Sequence, residues 1–553
     1  MARLNKLSIA GFRSVKDQIC IDFPDKMPVV LVGENNAGKS NIVRALDLIL
    51  GEMWPGSHRP DDHEFWDRSS ANGKIEIRAE VEGLPSDKYG NAVKGFRWVY
   101  DEDAEEKPEF GPIGAGKYVN NEIREQCTCV VIGADRRLSY QLSYSTKWTL
   151  LSKLMRKFHR HLVQDEARVK RLKSSFEDIK QTFNEVSEFA GFESELKKQF
   201  ADMFGGMSYG LHVDFSAYDP SNYFHSLRVH PEEAGVVRTF EELGTGQEQL
   251  LALAFAHAYA KAFFGGIVLV VEEPEAHLHP LAQQWLAGRI RQMAADGLQI
   301  ILTTHSPAFV NILNLEGLIL VSKRDGATAT KQLTRKRLSE FCIEQGADYA
   351  RTRPETVLPF YAGSATPEIL AGLFAKKIVL VEGATESLSL PIYLRKVKLD
   401  VTKEGIAIIP VMGKGNLAKW WRFFTAYDIP TFVTFDNDST DDTVATKRKD
   451  ALKTLGFGDS EARRLTASDD WLITDSMCIF GKDFEATMRR SFAKYADLET
   501  EARHSTGDSK PLTARFVAQR LTPLKRDSGW EAFQELAKKL RDLSCAEEDE
   551  IPF

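Results

Sequence analysis

The sequence predicts an α/β fold of two successive strand–helix units, the first interrupted by a helical insertion. Three observations carry this reading. Pro28-Val29-Val30-Leu31-Val32 is an unbroken apolar run that opens into a glycine-rich stretch, and a helical segment follows at 41–50. Two more apolar runs of strand length, 267–271 and 378–381, each end directly in a glutamate. Between 148 and 204 the spacing of apolar residues becomes helical instead.

A chain of 553 residues is too long for one hydrophobic core. The patterning divides it into 1–147 and 205–370 as two parts of one α/β unit, 148–204 as the insertion, and 371–553 as the second unit with a helical C-terminal region. With 43% hydrophobic and 27% charged residues, the composition is that of a globular protein and excludes a disordered or fibrous one. A net charge of −7 means that contact with nucleic acid must come from local basic patches. Of the six cysteines only Cys127 and Cys129 are close, which matches neither a zinc site nor a disulfide framework. Free thiols point to a reducing, cytoplasmic location, and no run approaches the roughly 18 apolar residues that span a bilayer.

Taken in order, Leu7 and Ile9, then Ile19, Ile21 and Phe23, alternate with polar residues as half-buried strands do. Ile75, Ile77, Ala79 and Val81 repeat the alternation. In the insertion, Leu151, Leu154, Met155, Phe158 and Leu162 form an apolar stripe, with Lys153, Arg156, Lys157 and Arg160 nearly opposite. Phe176, Ile179, Phe183 and Val186 mark a second amphipathic stretch. Strand–helix alternation resumes with a helix from Gln247, a strand at 267–271, a helix from Pro280 and a strand at 300–303. Residues 325–370, with Pro354, Pro359, Gly363 and Pro367, read as a connector.

Gly33-Glu34-Asn35-Asn36-Ala37-Gly38-Lys39-Ser40 fits the phosphate-binding pattern G-x-x-x-x-G-K-[ST] between a strand and a helix from Asn41, and Gly33, Asn35, Asn36, Gly38, Lys39, Ser40 and Asn41 are the expected nucleotide contacts. The glycines let backbone N–H groups wrap phosphates, Lys39 reaches the β- and γ-phosphates of ATP, and Ser40 meets Mg²⁺. The strand at 267–271 ends in Glu272-Glu273-Pro274-Glu275. There Glu272 would help hold Mg²⁺ and Glu273 would polarise the attacking water. Glu272 stands where Asp is more usual. Leu243-Gly244-Thr245-Gly246-Gln247 and Thr304-His305-Ser306-Pro307 complete an ordered set of four. The set resembles the ATPase heads of the ABC class, above all the SMC-like and recombination-mediator branch. That resemblance assigns nucleotide contacts to Gly244, Gly246 and Gln247 as the signature and a switch role to His305. One copy of each motif per chain then implies a homodimer at least. Asp61-Asp62-His63-Glu64-Phe65 is the nearest candidate for a Q-loop.

The second unit begins with the strand at 378–381 followed by Glu382-Gly383-Ala384-Thr385-Glu386. A strand at 431–435 delivers Asp436-Asn437-Asp438, and Asp483-Phe484-Glu485 repeats the D-x-acid spacing. Six carboxylates so placed repel one another unless cations sit among them, and oxygen ligands suit Mg²⁺ or Mn²⁺. Strand-Glu-Gly followed by Asp-x-Asp resembles the Toprim domain. Behind an ABC-type ATPase, the combination resembles the OLD (overcoming lysogenisation defect) family of ATP-dependent endonucleases.

The resemblance implies a DNA nuclease with two divalent metals, one held by Glu382, Asp436 and Asp438, the other by Glu386, Asp483 and Glu485. It implies a basic residue near the scissile phosphate, for which Lys510 is the first candidate and Lys525 and Lys414 are alternatives. Thr434 could add a weak oxygen contact. Antiphage defence and a helicase or reverse-transcriptase partner belong to the same family expectation. The rival reading is a DNA-repair clamp whose ATPase switches conformation while a non-catalytic Toprim domain binds partners. A topoisomerase, a primase or a transporter ATPase fits the chain less well.

Overall fold

A computed structural model of the chain describes residues 2–51, 53–68, 73–101, 108–114, 119–133, 164–185, 266–276, 278–437, 470–507, 509–524 and 527–544, with short pieces between 194 and 258 and between 452 and 465. It separates into two compact units, 1–131 with 265–553, and 132–264.

The first unit holds three sheets. Strands β1 (Arg3–Ala10), β2 (Ile19–Asp22), β4 (Lys74–Glu82), β5 (Val93–Asp101) and β6 (Glu109–Gly114) form an antiparallel sheet in the order β2-β1-β4-β5-β6. The alternation expected at Ile75, Ile77, Ala79 and Val81 is the buried face of β4. The second sheet runs β13-β12-β3-β11-β10-β7, from β3 (Val29–Val32), β7 (Thr128–Ile132), β10 (Ile267–Glu272), β11 (Gln299–Thr303), β12 (Leu318–Arg324) and β13 (Ala327–Gln332). Here β3 is parallel to both β11 and β12, and β10 is parallel to β11. Helix α1 (Lys39–Leu50) buries Ile42, Leu46 and Ile49 in a core shared by the two sheets, with Leu7, Ile77 and Trp98 from one and Leu31, Val270 and Ile301 from the other.

Residues 325–370, expected as a connector, contain β13, helix α4 (Arg335–Glu344; α2 and α3 lie earlier in the chain at Glu166–Asn184 and Pro280–Ala295), and short helices at Tyr349–Thr352, Val357–Ala362 and Pro367–Leu370. Side chains of Thr334, Asp348 and Thr366 cap three of these helices by accepting a backbone N–H from the first turn. The prolines that read as breaks lie at or near helix starts, where a missing N–H costs nothing.

The third sheet has the order β15-β14-β16-β18-β17, with β14 (Lys377–Val381), β15 (Ile406–Pro410), β16 (Thr431–Asp436), β17 (Leu472–Ile473) and β18 (Met477–Phe480). All pairs but the last are parallel. One face packs Val379, Val381, Phe432 and Phe480 against α5 (Ala384–Lys396) and the C-terminal helices α7 (Phe484–Ser491; α6, Leu417–Ala426, precedes it), α8 (Tyr495–Thr506), α9 (Lys510–Arg520) and α10 (Gly529–Asp542). The stack of Tyr393 on Phe533, centroids 4.5 Å apart and 8° from coplanar, lies at the centre of that cluster. Helix α6 lies against β14 and β16 and presents Trp420 and Phe423 to Tyr361 at 5.5 and 5.2 Å. The former connector is thereby part of this core.

In the second unit, α2 (Glu166–Asn184) spans the positions of Phe176, Ile179 and Phe183, and β8 (Glu232–Glu233) pairs antiparallel with β9 (Val236–Val237). The Leu151-to-Leu162 stripe, its basic partners and Val186 lie outside the described residues. Among the described residues no disulfide joins Cys20, Cys127, Cys129, Cys342 or Cys478. No described helix is long and apolar enough to cross a membrane.

Trp420 is fully buried among Tyr361, Phe423 and Phe424. Trp420→Ala is therefore expected to destabilise the third sheet and its helices by about 3–5 kcal/mol. Urea unfolding of the variant beside the wild-type chain measures this, and a shift below about 1 kcal/mol would contradict the packing described.

Candidate functional site

The second sheet gathers three sequence motifs at one edge, because β3, β10 and β11 are parallel and adjacent and so end together. After β3 the chain turns through Gly33 (φ 134°), Asn36 (φ 64°) and Gly38 (φ 111°) into α1. A Cβ on Gly33 would lie 2.0 Å from the Val321 carbonyl oxygen, and one on Gly38 would lie 2.1 Å from Thr328 Oγ1, so both positions require glycine. Asn35, Asn36 and Ser40 face outward.

Lys39 is buried and folds back on the loop, its Nζ donating to the carbonyls of Gly33 and Glu34 at 2.9 Å each. Burial pulls its pKa down to about 8, against the opposing charges of Glu273, Glu275 and Glu34. Beneath the loop a hydrogen-bond chain runs from Asn41 Nδ2 to Ser14 Oγ (2.6 Å), to Thr328 Oγ1 (2.7 Å) and on to the Ala37 carbonyl (2.8 Å). Asn41, read from sequence as a nucleotide contact, is engaged in bracing the loop.

Glu272 ends β10. Glu273 follows in the left-handed region at φ 48°, unusual outside glycine, with its side chain half exposed. His305 Nε2 lies 3.8 Å from Glu273 Oε1. Burial and the nearby Lys39 ammonium hold the imidazole below its ordinary pKa. Glu275, seen in sequence only as part of the acidic run, orients this pair. Its carboxylate accepts the Thr304 hydroxyl at 2.8 Å and the His305 backbone N–H at 2.6 Å. Gly244 lies outside the described residues, while Gly246 and Gln247 begin a helical piece of the second unit. In the Q-loop candidate, Glu64 is buried and bound to His58 (2.8 Å) and Arg13 (3.2 Å), a structural clasp.

The third sheet repeats the device. Parallel β14, β15, β16 and β18 bring Glu382, Lys414, Asp436 and the loop to Asp483 to a common edge. Glu382 Oε1 accepts the Asp436 backbone N–H at 2.8 Å, and the ammonium of buried Lys414 lies 3.3 Å from the same oxygen. Glu386 is buried in the first turn of α5, where its Oε2 accepts the Gly383 N–H at 3.3 Å. Burial, with the added repulsion of Glu382 and Glu485, pushes its pKa up to about 7.

Asp483 and Glu485 differ from the sequence reading. They sit at a helix start rather than a strand end, Asp483 capping α7 by accepting the Ala486 N–H at 2.6 Å, with Glu485 in the first turn. Asp438 and Lys525 lie outside the described residues, and Thr434 is fully buried with its hydroxyl 3.5 Å from the Leu380 carbonyl. Lys510 is exposed at the start of α9. This helix packs along α5, and Lys396 at the end of α5 donates to the carbonyls of Ala518, Gln519 and Leu521. The two helices therefore run the same way, which puts Lys510 at the end that carries Gly383 and Glu386.

The donor set is all oxygen and short of cations, which fits Mg²⁺ or Mn²⁺. Among the described residues, no three His, Cys, Asp or Glu side chains are closed around a single point.

Comparison with known proteins agrees with both edges. Residues 3–111 and 82–310 match the AAA ATPase domain, and 373–438 match the TOPRIM domain of overcoming lysogenization defect protein-like proteins. The chain is 28% identical to the OLD nuclease of Thermus scotoductus over 79% of its own length and 82% of that protein's. It is 23% identical to the Old nuclease of Escherichia phage P2, covering 82% and 80%, and 20% identical to the endonuclease GajA of Bacillus cereus, covering 74% and 71%.

With Lys39 as the expected phosphate contact, nucleotide binding is predicted to depend on pH. Phosphates favour its charged form, so ATP should bind with proton uptake near pH 8, and affinity should fall by about tenfold per unit above that. Calorimetry in buffers of different ionisation enthalpy measures the uptake, and buffer-independent heats at pH 8 would refute the assignment. With the ATPase match spanning more than half of its length, the chain belongs to the AAA ATPase domain family, and behind that domain it carries a TOPRIM domain of the overcoming lysogenization defect protein-like type.

Proposed function

We propose that the chain cleaves DNA by metal-dependent phosphodiester hydrolysis at the edge of the third sheet, under the control of ATP at the edge of the second. The observation that supports it best is the convergence of Glu382, Glu386, Asp436 and the Asp483–Glu485 turn on one parallel-sheet edge, with Glu386 held at a raised pKa by burial and its acidic neighbours. A scaffold that only bound partners would have no use for acids placed so unfavourably.

At the ATP edge, Lys39 would hold the β- and γ-phosphates, while Ser40 and Glu272 would hold the nucleotide's Mg²⁺. Glu273 orients and deprotonates the attacking water, with His305 beside it. At the TOPRIM edge, Glu382, Asp436 and Asp438 would hold one divalent ion and Glu386, Asp483 and Glu485 a second. Such ions supply an activated water and offset charge on the leaving oxygen. Lys510 stands at the same end as a candidate phosphate contact. Work on phage DNA in the cytoplasm accords with the family resemblance.

Two outcomes test the reading. Asp436→Ala should lower Mn²⁺-dependent cleavage of plasmid DNA by about a hundredfold or more while ATP hydrolysis stays near wild type. Cleavage at near wild-type rate would refute the TOPRIM assignment and favour the clamp. Completion of the ATP site by the Gly244-to-Gln247 signature of a second copy further predicts that Glu273→Gln, which keeps ATP unhydrolysed, accumulates a dimer with ATP in sedimentation. A purely monomeric ATP-bound variant would contradict that assembly.

A further inference from the structure

We propose that Lys414 is the chain's own counter-cation at the TOPRIM edge, and that a divalent ion at Glu382 binds in competition with its ammonium. The inference rests on the metal-dependent reading above and adds to it a residue that sets metal affinity.

Lys414 follows β15 by a short turn through Met412 (φ 57°) and Gly413 (φ 112°), which the Gly413 N–H fixes by donating to the Glu382 carbonyl at 2.8 Å. The turn drives the lysine inward until only 3% of its side chain is exposed. Its Nζ donates to the Asp436 backbone carbonyl and lies 3.3 Å from Glu382 Oε1. Both partners belong to residues assigned to the first metal. An ammonium in such a place is stable only where a carboxylate and a carbonyl replace its water.

The comparison with Lys419, one turn of helix further on, sharpens the point. Lys419 is also buried, but it donates to the Phe360 carbonyl and the Ser364 hydroxyl and lies 4.1 Å from the Phe360 ring centre. Those partners belong to the aromatic core and involve no carboxylate. Lys414 alone of the two carries its charge into the acid edge. There it ties the ends of β14 and β16 together, because Glu382 Oε1 also accepts the Asp436 N–H. A divalent ion on the same carboxylate meets a like charge a few ångströms away, so binding must push the ammonium off Glu382.

The test is calorimetric titration of Mn²⁺ into the nucleotide-free full-length protein, with Glu382→Gln defining the heat that belongs to the acid edge. Lys414→Met should bind Mn²⁺ there about tenfold or more tightly than wild type, and Lys414→Arg, which keeps the charge, within about threefold of it. A residue that merely held the fold would leave affinity unchanged or weaken it, and either result for a folded Lys414→Met overturns the proposal. Should that variant fail to fold, the wild-type protein decides. Acylation of Lys414 by an amine-reactive ester, followed by peptide mass spectrometry, should quicken when Mn²⁺ is added, and an unchanged rate overturns the proposal. If the wild-type protein takes up no Glu382-dependent Mn²⁺ at all, the metal-dependent reading falls and this one with it. If it does, and Lys414→Met binds no better, only the role of Lys414 is lost.

Discussion

In a parallel sheet every strand hands its C-terminal residue to the same edge, and both candidate sites depend on that constraint. In the second sheet it brings the glycine loop, Glu272-Glu273 and Thr304-His305 together from three places in the chain. In the third it does the same for Glu382, Lys414, Asp436 and the Asp483 turn. The strands themselves are almost wholly apolar and buried, so the polar residues that end them are the first that can reach a ligand. Charge gathers at these edges because the strands themselves carry almost none.

Concentrated charge has to be balanced, and the two edges balance it in related ways. Lys39 and Lys414 are both buried lysines that donate to main-chain carbonyls at the end of a parallel strand or the loop beyond it. At the first edge the acids Glu273 and Glu275 oppose the fall in the Lys39 pKa but do not overcome burial. At the second edge the imbalance runs the other way, and it surfaces on Glu386, whose carboxyl is driven to about 7 by burial and acidic neighbours.

Much of this was legible in the sequence because it is local. The loop at Gly33 to Ser40 and the strand-ending acids Glu272, Glu382 and Asp436 declare themselves by neighbours one to seven positions away. What could not be read depends on distant partners. Thr328 braces the Ala37 carbonyl from 291 residues away, Glu275 acts through Thr304 and His305, and Lys414 becomes informative only once β15 lies beside β14. Asp483 misled because D-x-acid spacing is the same for a strand end and for a capped helix start. The stretch 325–370 misled for a similar reason, since prolines that open short helices resemble prolines that break a chain.

Contacts between the second and third sheets begin at residues of the ATP edge. Glu34 of the glycine loop lies 3.4 Å from Lys376, the residue before β14, and the His305 ring stands 6.5 Å from that of Phe374. On the far side Asp428, three residues before β16, receives Arg324 at 2.8 Å and Lys331 at 2.9 Å from β12 and β13. These ion pairs are partly exposed, and pairs of that kind contribute roughly 0–1 kcal/mol each. Differential binding of a nucleotide can supply 1–3 kcal/mol, roughly the scale on which such contacts rearrange. The strands on either side are held by ladders and packed cores, which makes the junction the less tightly bound part of this region. Strand β14 thus runs from Lys376, which meets Glu34 of the glycine loop, to Glu382 at the acid edge, and its buried residues from Ile378 to Val381 join the two ends in one packed element.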